Sequence, residues 1–114
     1  MGDERLSLYA PEYLVEEFQR HYALILKKSG LTDDEFSALL SRINTRIRFV
    51  PAREIVSWMP LAEQICPDYD DVHYFALCLA KRLPLWSNDT ALKRQDAVTV
   101  LTTDEISVLL TSLE

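Results

Sequence analysis

A chain of 114 residues has the length of one domain, since single cores commonly span about 100–200 residues, and we expect one domain over residues 1–114. Its 48% hydrophobic residues and two glycines exclude the disordered and fibrous classes, and the longest apolar stretch is too short to span a membrane. A net charge of −6 excludes a globally basic nucleic-acid clamp, so phosphate binding would need local patches or metal ions.

The first half of the chain predicts two short strands with helices between them. The predicted elements are a strand at 5–10, a helix at 11–29, a helix that begins after Thr32, and a strand at 47–50. Pro11 suits a first helical position and Gly30 a helix end, while Thr32 and Glu35 have the spacing of a capping box. The two helices are therefore expected to form a hairpin.

The second half continues the alternation of helices and short strands. The predicted elements are a helical stretch at 52–65 interrupted near Pro60, an acidic loop at 67–71, a buried helix at 72–83, a strand at 85–87, a helical fragment at 88–93, a strand at 98–101 and a last helix from Thr102 to Leu110. Trp86 is expected in the core. This alternation predicts an α/β fold with a mainly parallel sheet.

Cysteine and histidine residues do not have the spacing of a zinc site. Cys66 and Cys78 lie twelve positions apart, and His21 and His73 are isolated from them and from each other. The cysteines are expected to be reduced packing residues. A metal site in this chain would therefore use oxygen ligands.

Three positions supply candidate carboxylates. On a helical wheel Glu17 lies about 60° from Leu14, the centre of the apolar face, and is either a cleft residue or a boundary glutamate paired with a cation. Asp70 and Asp71 immediately precede the buried helix, where a carboxylate is either an N-cap or a ligand at the helix mouth. Asp89 follows a short strand, where ligand sites of α/β sheets lie, or it caps a turn.

If Glu17, Asp71 and Asp89 converge at one sheet end, they form a cluster of hard oxygen donors suited to Mg²⁺ or Mn²⁺. A metal bound there would make a nucleophile of water and neutralise charge on a scissile phosphodiester without help from histidine or cysteine. Lys81 and Lys93, each followed by arginine, are either phosphate contacts or solvated helix ends.

Three segments together resemble the PIN (PilT N-terminus) domain family. They are LYAPEYLVEEF at 8–18, DDVHYFAL at 70–77 and PLWSND at 84–89, and they cover nearly the whole chain in order. The resemblance implies a three-layer α/β fold with a short parallel sheet flanked by helices. It also implies a Mg²⁺- or Mn²⁺-dependent ribonuclease, many members being toxins with an antitoxin partner. The metal-site acids would be Glu17, Asp71 and Asp89, with Ser87 as a supporting hydroxyl.

The chain departs from the family pattern at its start. The family's first strand, which ends in a metal-binding aspartate, has no counterpart, because only Met1-Gly2-Asp3-Glu4 precedes the strand at 5–10. With three acids we expect weak metal binding and little turnover. Without the first strand, the strands at 5–10 and 84–87 either close on each other or leave an open edge, and we expect a homodimer or higher oligomer that shields apolar surface of the helix at 72–83. The alternative is a non-catalytic binding or oligomerisation module whose acids are helix caps. In both interpretations we expect the protein to be cytoplasmic.

Overall fold

A computed structural model describes residues 6–113, which divide into two compact units that meet in sequence between Val50 and Pro51. The prediction of one domain over 1–114 is not tested by this division, and each unit is described by itself. Within the described range, no helix is long and apolar enough to cross a membrane.

The first unit pairs two parallel strands and connects them through three helices. Its elements are β1 (Leu8–Pro11), α1 (Tyr13–Arg20), α2 (Tyr22–Ser29), α3 (Asp33–Arg46) and β2 (Ile47–Val50). Leu8 lies opposite Ile47 and Pro11 opposite Val50. The hydrogen bonds between the two strands continue past Pro11, because the Glu12 N–H donates to the Val50 carbonyl at 3.0 Å. The strand predicted at 47–50 is confirmed with its bounds.

The helix predicted at 11–29 is two helices, because the chain leaves helical geometry at His21. This residue has φ −111° and ψ 13°, and its N–H is shared between the carbonyls of Glu17 and Phe18. Apolar spacing continues across a break of one residue, so periodicity alone does not reveal it. The Phe18 ring stacks on the Phe36 ring with 5.9 Å between their centroids, and Phe36 is buried.

The predicted capping box at the start of α3 is confirmed. The Thr32 hydroxyl accepts from the Glu35 N–H at 3.2 Å, and the Glu35 carboxylate accepts from the Thr32 N–H at 3.0 Å. These bonds to Thr32 also lower the pKa of Glu35. Two otherwise orphaned N–H groups are thereby satisfied, which determines where the helix begins.

The second unit contains a buried helix and a second parallel strand pair. Its elements are α4 (Ala52–Ile55), a 3-10 turn (Val56–Trp58), α5 (Met59–Ile65), a 3-10 turn (Tyr69–Asp71), α6 (Val72–Lys81), β3 (Leu85–Trp86), a 3-10 turn (Thr90–Arg94), β4 (Val100–Leu101) and α7 (Thr103–Ser112). Leu85 pairs with Val100 and Trp86 with Leu101. The α/β class with parallel pairing is confirmed, and the described strands form two separate two-stranded sheets, one in each unit.

The interruption expected near Pro60 lies just before it, at the 3-10 turn. Pro60 occupies the second position of α5, where a missing N–H removes no helical hydrogen bond. The proline therefore starts a helix instead of kinking one.

Helix α6 supplies much of the core of its unit, as its uniformly apolar sequence predicts. Its buried residues are Val72, Phe75, Ala76, Leu77 and Cys78. Phe75 and Ala76 have no exposed surface, and burial raises the pKa of the Cys78 thiol to about 12. Cys66 and Cys78 are both free thiols, consistent with packing roles.

Candidate metal centre

Three aspartates of the second unit bring their carboxylates together. One oxygen each of Asp68, Asp71 and Asp89 lies within 4.8 Å of the others. Asp68 and Asp89 are exposed, and Asp71 is half-buried. The structure therefore places two of the predicted acids, Asp71 and Asp89, in one cluster and adds Asp68 to it.

Asp68 immediately precedes a 3-10 turn at the mouth of α6, and Asp71 is the last residue of that turn. The Asp68 carboxylate accepts from the Asp70 N–H, and its carbonyl accepts from the Asp71 N–H, both at 3.0 Å. Asp71 occupies the N-cap position of α6, but its side chain makes no capping hydrogen bond. The capping position expected for Asp70 or Asp71 is thus held by Asp71, whose carboxylate is directed elsewhere.

Asp89 lies in the loop that follows β3, as predicted. Its N–H donates to the Ser87 hydroxyl at 3.1 Å, and its carboxylate accepts from the Ala91 N–H at 3.1 Å. Ser87 therefore supports the main chain of Asp89. The capping role and a ligand role are compatible, because an ionised carboxylate has about four acceptor sites and the Ala91 N–H uses one.

The donor set of the cluster fits a divalent cation. Ligands on opposite sides of a cation are twice the metal–oxygen distance apart, about 4.2 Å for Mg²⁺ and about 4.6–5.2 Å for Ca²⁺. The three oxygens lie within 4.8 Å of one another, so a Ca²⁺-sized ion fits them as placed, and a Mg²⁺-sized ion fits after the side chains approach by a few tenths of an ångström. Three close carboxylates repel one another in the absence of a cation, so a bound ion would also relieve their charge.

Glu17 is in the first unit, on α1, and is half-buried. Its negative charge contributes to raising the pKa of Arg20, whose largest cause is the hydrogen bond to the Tyr13 hydroxyl. This electrostatic coupling within α1 is compatible with either interpretation of Glu17. Its membership in the metal site stays a prediction.

Asp68 is the cluster member that the sequence reasoning missed. The sequence predicts an acidic loop at 67–71, but the structure forms a 3-10 turn there, in which residues three apart lie above one another. The three-residue spacing of Asp68 and Asp71 brings their side chains together only because this segment is a 3-10 turn. A turn immediately before a buried helix brings both carboxylates to the same side of the helix mouth.

Both lysines considered as phosphate contacts are in ion pairs. Lys81 lies 2.6 Å from Glu54, and Lys93 lies 2.5 Å from Glu105. All four side chains are partly exposed, so these pairs contribute little stability individually. The pairing favours the structural interpretation of the two lysines.

Glu105 provides a pH-dependent contact beside the Asp89 loop. Hydrogen bonds from Lys93 and from Thr102, where Glu105 completes a capping box, lower its pKa from 4.5 to about 2. Because the pKa of Glu105 is lower in the folded than in the unfolded protein, its ionised carboxylate stabilises the fold at pH values above about 4.5. This stabilisation is lost as the pH falls from about 4.5 to about 2. A Glu105→Gln variant should therefore unfold at a lower temperature than the unaltered chain at pH 7, with the difference shrinking across that window. A difference that stays constant down to pH 2 would contradict this assignment.

A family model described as PIN domain matches residues 1–111, which is almost the entire chain. No curated protein and no solved structure matches this chain.

Proposed function

This chain belongs to the PIN domain family, whose members are generally nuclease-like and typically use divalent metals, and we propose that it hydrolyses RNA phosphodiesters at its aspartate cluster. The observation that carries the proposal is the approach of the Asp68, Asp71 and Asp89 carboxylates to within 4.8 Å in an accessible position. Mg²⁺ or Mn²⁺ is the proposed cofactor.

The roles of the residues follow from their positions. Asp68 and Asp71 would bind the ion from the helix mouth, and Asp89 would bind it from the loop after β3. A bound divalent ion would lower the pKa of a water molecule and neutralise charge on the phosphate. Hydrolysis at this site would add one water across a P–O bond of the phosphodiester and leave a phosphate monoester and a free hydroxyl. Glu17 is proposed as a further acid of the site on the family resemblance alone.

A non-catalytic module is the second candidate, and the hydrogen bonds of the aspartates favour it. Asp68 and Asp89 each accept a backbone N–H two residues ahead, which is an ordinary structural role for aspartate in a turn. If that is their whole purpose, the cluster has no saturable affinity for a divalent ion. The two candidates therefore differ first in metal binding and only then in catalysis.

The test is a titration of the purified chain with Mn²⁺, followed by incubation with RNA. The proposed function predicts saturable Mn²⁺ binding and slow RNA cleavage that needs Mg²⁺ or Mn²⁺ and stops when a chelator is added. The absence of saturable binding would favour the non-catalytic module.

A toxin role with an antitoxin partner, and a cytoplasmic location, belong to the same proposal. The absence of RNA cleavage would refute the toxin role.

Self-association is a separate part of the proposal. Each sheet in the described part of the chain has two strands, and the unpaired edge of a short sheet is a template for another strand. Exposed apolar side chains at Val108 and Leu109 of α7, and at Leu113 just after it, add surface that a second copy would cover. Light scattering at micromolar concentration should give a mass near twice 13.2 kDa or more. A mass of one chain across the accessible concentrations would refute self-association.

A further inference from the structure

We propose that Asn88 is a positioning residue of the metal centre, which holds the Asp89 carboxylate in the cluster by tying its loop to the first turn of α7. The inference rests on the proposed function, because its consequence is measured in metal binding. It concerns a residue that donates no ligand to the cluster.

The tie consists of two hydrogen bonds to one residue. The Asn88 side-chain oxygen accepts from the Thr103 N–H at 2.9 Å, and the Trp86 indole N–H donates to the Thr103 hydroxyl at 2.9 Å. Thr103 is the first residue of α7, where backbone N–H groups have no partner inside the helix. The side chains of Asn88 and Trp86 therefore connect the Asp89 loop to a helix 15 to 17 residues away in sequence.

Trp86 is not the core residue that its apolar strand predicts, since 46% of its surface is exposed. Its indole instead makes the hydrogen bond to Thr103 at the edge of the unit. The hydrogen bond to Thr103 of α7 explains why Trp86 lies at the surface, since its indole N–H has a partner there.

The loop is also held on the far side of Asp89. Lys93 pairs with Glu105 in the first turn of α7, and Leu92 is buried with 1% of its surface exposed. Asn88 and Lys93 thus bracket Asp89 with contacts to the same helix end.

Asp89 needs such support because the strand before it and the 3-10 turn after it are short. It follows a strand of two residues, precedes a 3-10 turn and is itself exposed. A metal ligand must be held within about 0.5 Å of its productive position, which loops without supporting contacts do not achieve. Removal of a contact that hydrogen-bonds a metal ligand directly typically costs about 10- to 100-fold in metal affinity, and Asn88, which acts on the loop and not on the Asp89 carboxylate, should have a smaller effect.

The first experiment measures amide hydrogen exchange without metal. Asn88→Ala should accelerate exchange at Thr103 and in the Asp89 loop by on the order of fivefold, the effect of one net hydrogen bond. Asn88→Asp keeps the accepting oxygen and should restore slow exchange. The matched control is Lys81→Met, which removes an ion pair elsewhere in the same unit and should leave the loop unchanged. Exchange in α6 serves as the internal reference for global unfolding.

The second experiment measures the Mn²⁺ dissociation constant of the same proteins. Asn88→Ala should weaken binding by about fivefold, because the effect is limited to the loss of one net hydrogen bond, and Lys81→Met should not change it. Unchanged exchange in Asn88→Ala, or faster exchange with unchanged Mn²⁺ affinity, would overturn the inference. Failure of the unaltered chain to bind Mn²⁺ would instead refute the proposed function, and exchange would still decide whether Asn88 holds the loop.

Discussion

Replacing Asp89 by asparagine should weaken Mn²⁺ binding by on the order of tenfold to a hundredfold and abolish metal-dependent RNA cleavage. Asparagine keeps an oxygen that accepts the Ala91 N–H, and it caps about as well as aspartate. What the variant loses is the negative charge that a divalent cation requires. The substitution therefore separates the capping role of Asp89 from its ligand role in a single protein.

The measurements are a Mn²⁺ titration, an RNA cleavage assay and thermal unfolding, with Glu63→Gln as the matched control. Glu63 is an exposed acid on α5 of the same unit, and its loss removes the same charge away from the cluster. We expect the control to keep Mn²⁺ affinity and both variants to keep their unfolding temperature. Equal Mn²⁺ affinity in Asp89→Asn and the unaltered chain would show that Asp89 is a cap only.

Replacing Phe75 by alanine should lower the free energy of unfolding by about 3–5 kcal/mol. Phe75 lies in the middle of α6 with no exposed surface, so truncating it leaves a cavity among neighbours that are themselves buried. Because a domain of this size is stable by about 5–15 kcal/mol, one substitution removes much of the total. Chemical denaturation of the two proteins measures the difference.

The control for Phe75 is Val56→Ala in the 3-10 turn before α5, where 61% of the valine surface is exposed. Removing an exposed side chain should change stability by no more than about 0.5 kcal/mol. A cost below about 1 kcal/mol for Phe75→Ala would show that α6 is not the packed core of its unit. Stability measured this way also tells whether a loss of metal binding in other variants reflects unfolding.

The candidate site was predictable in part, for reasons that differ between its residues. Asp71 and Asp89 stand out in sequence because one immediately precedes a strongly apolar helix and the other follows a strand. Asp68 lacks such a mark, since its place in the cluster depends on a 3-10 turn that apolar periodicity does not reveal. Glu17 belongs to a different unit, and its convergence with the aspartates remains a prediction.

The sequence by itself determined the features that depend on neighbouring residues. The capping box at Thr32, the strand at Ile47–Val50 and the buried helix α6 follow from hydrogen bonds or apolar patterns within a few positions of the chain.

Only the tertiary structure decided the rest. The approach of Asp68 to Asp89 and the bonds from Asn88 and Trp86 to Thr103 join segments that are distant in sequence. Such contacts depend on how strands and helices are placed in three dimensions, and a local pattern contains no information on that placement. The exposure of Trp86 has the same origin, because its strand is apolar but its hydrogen-bond partner lies on α7.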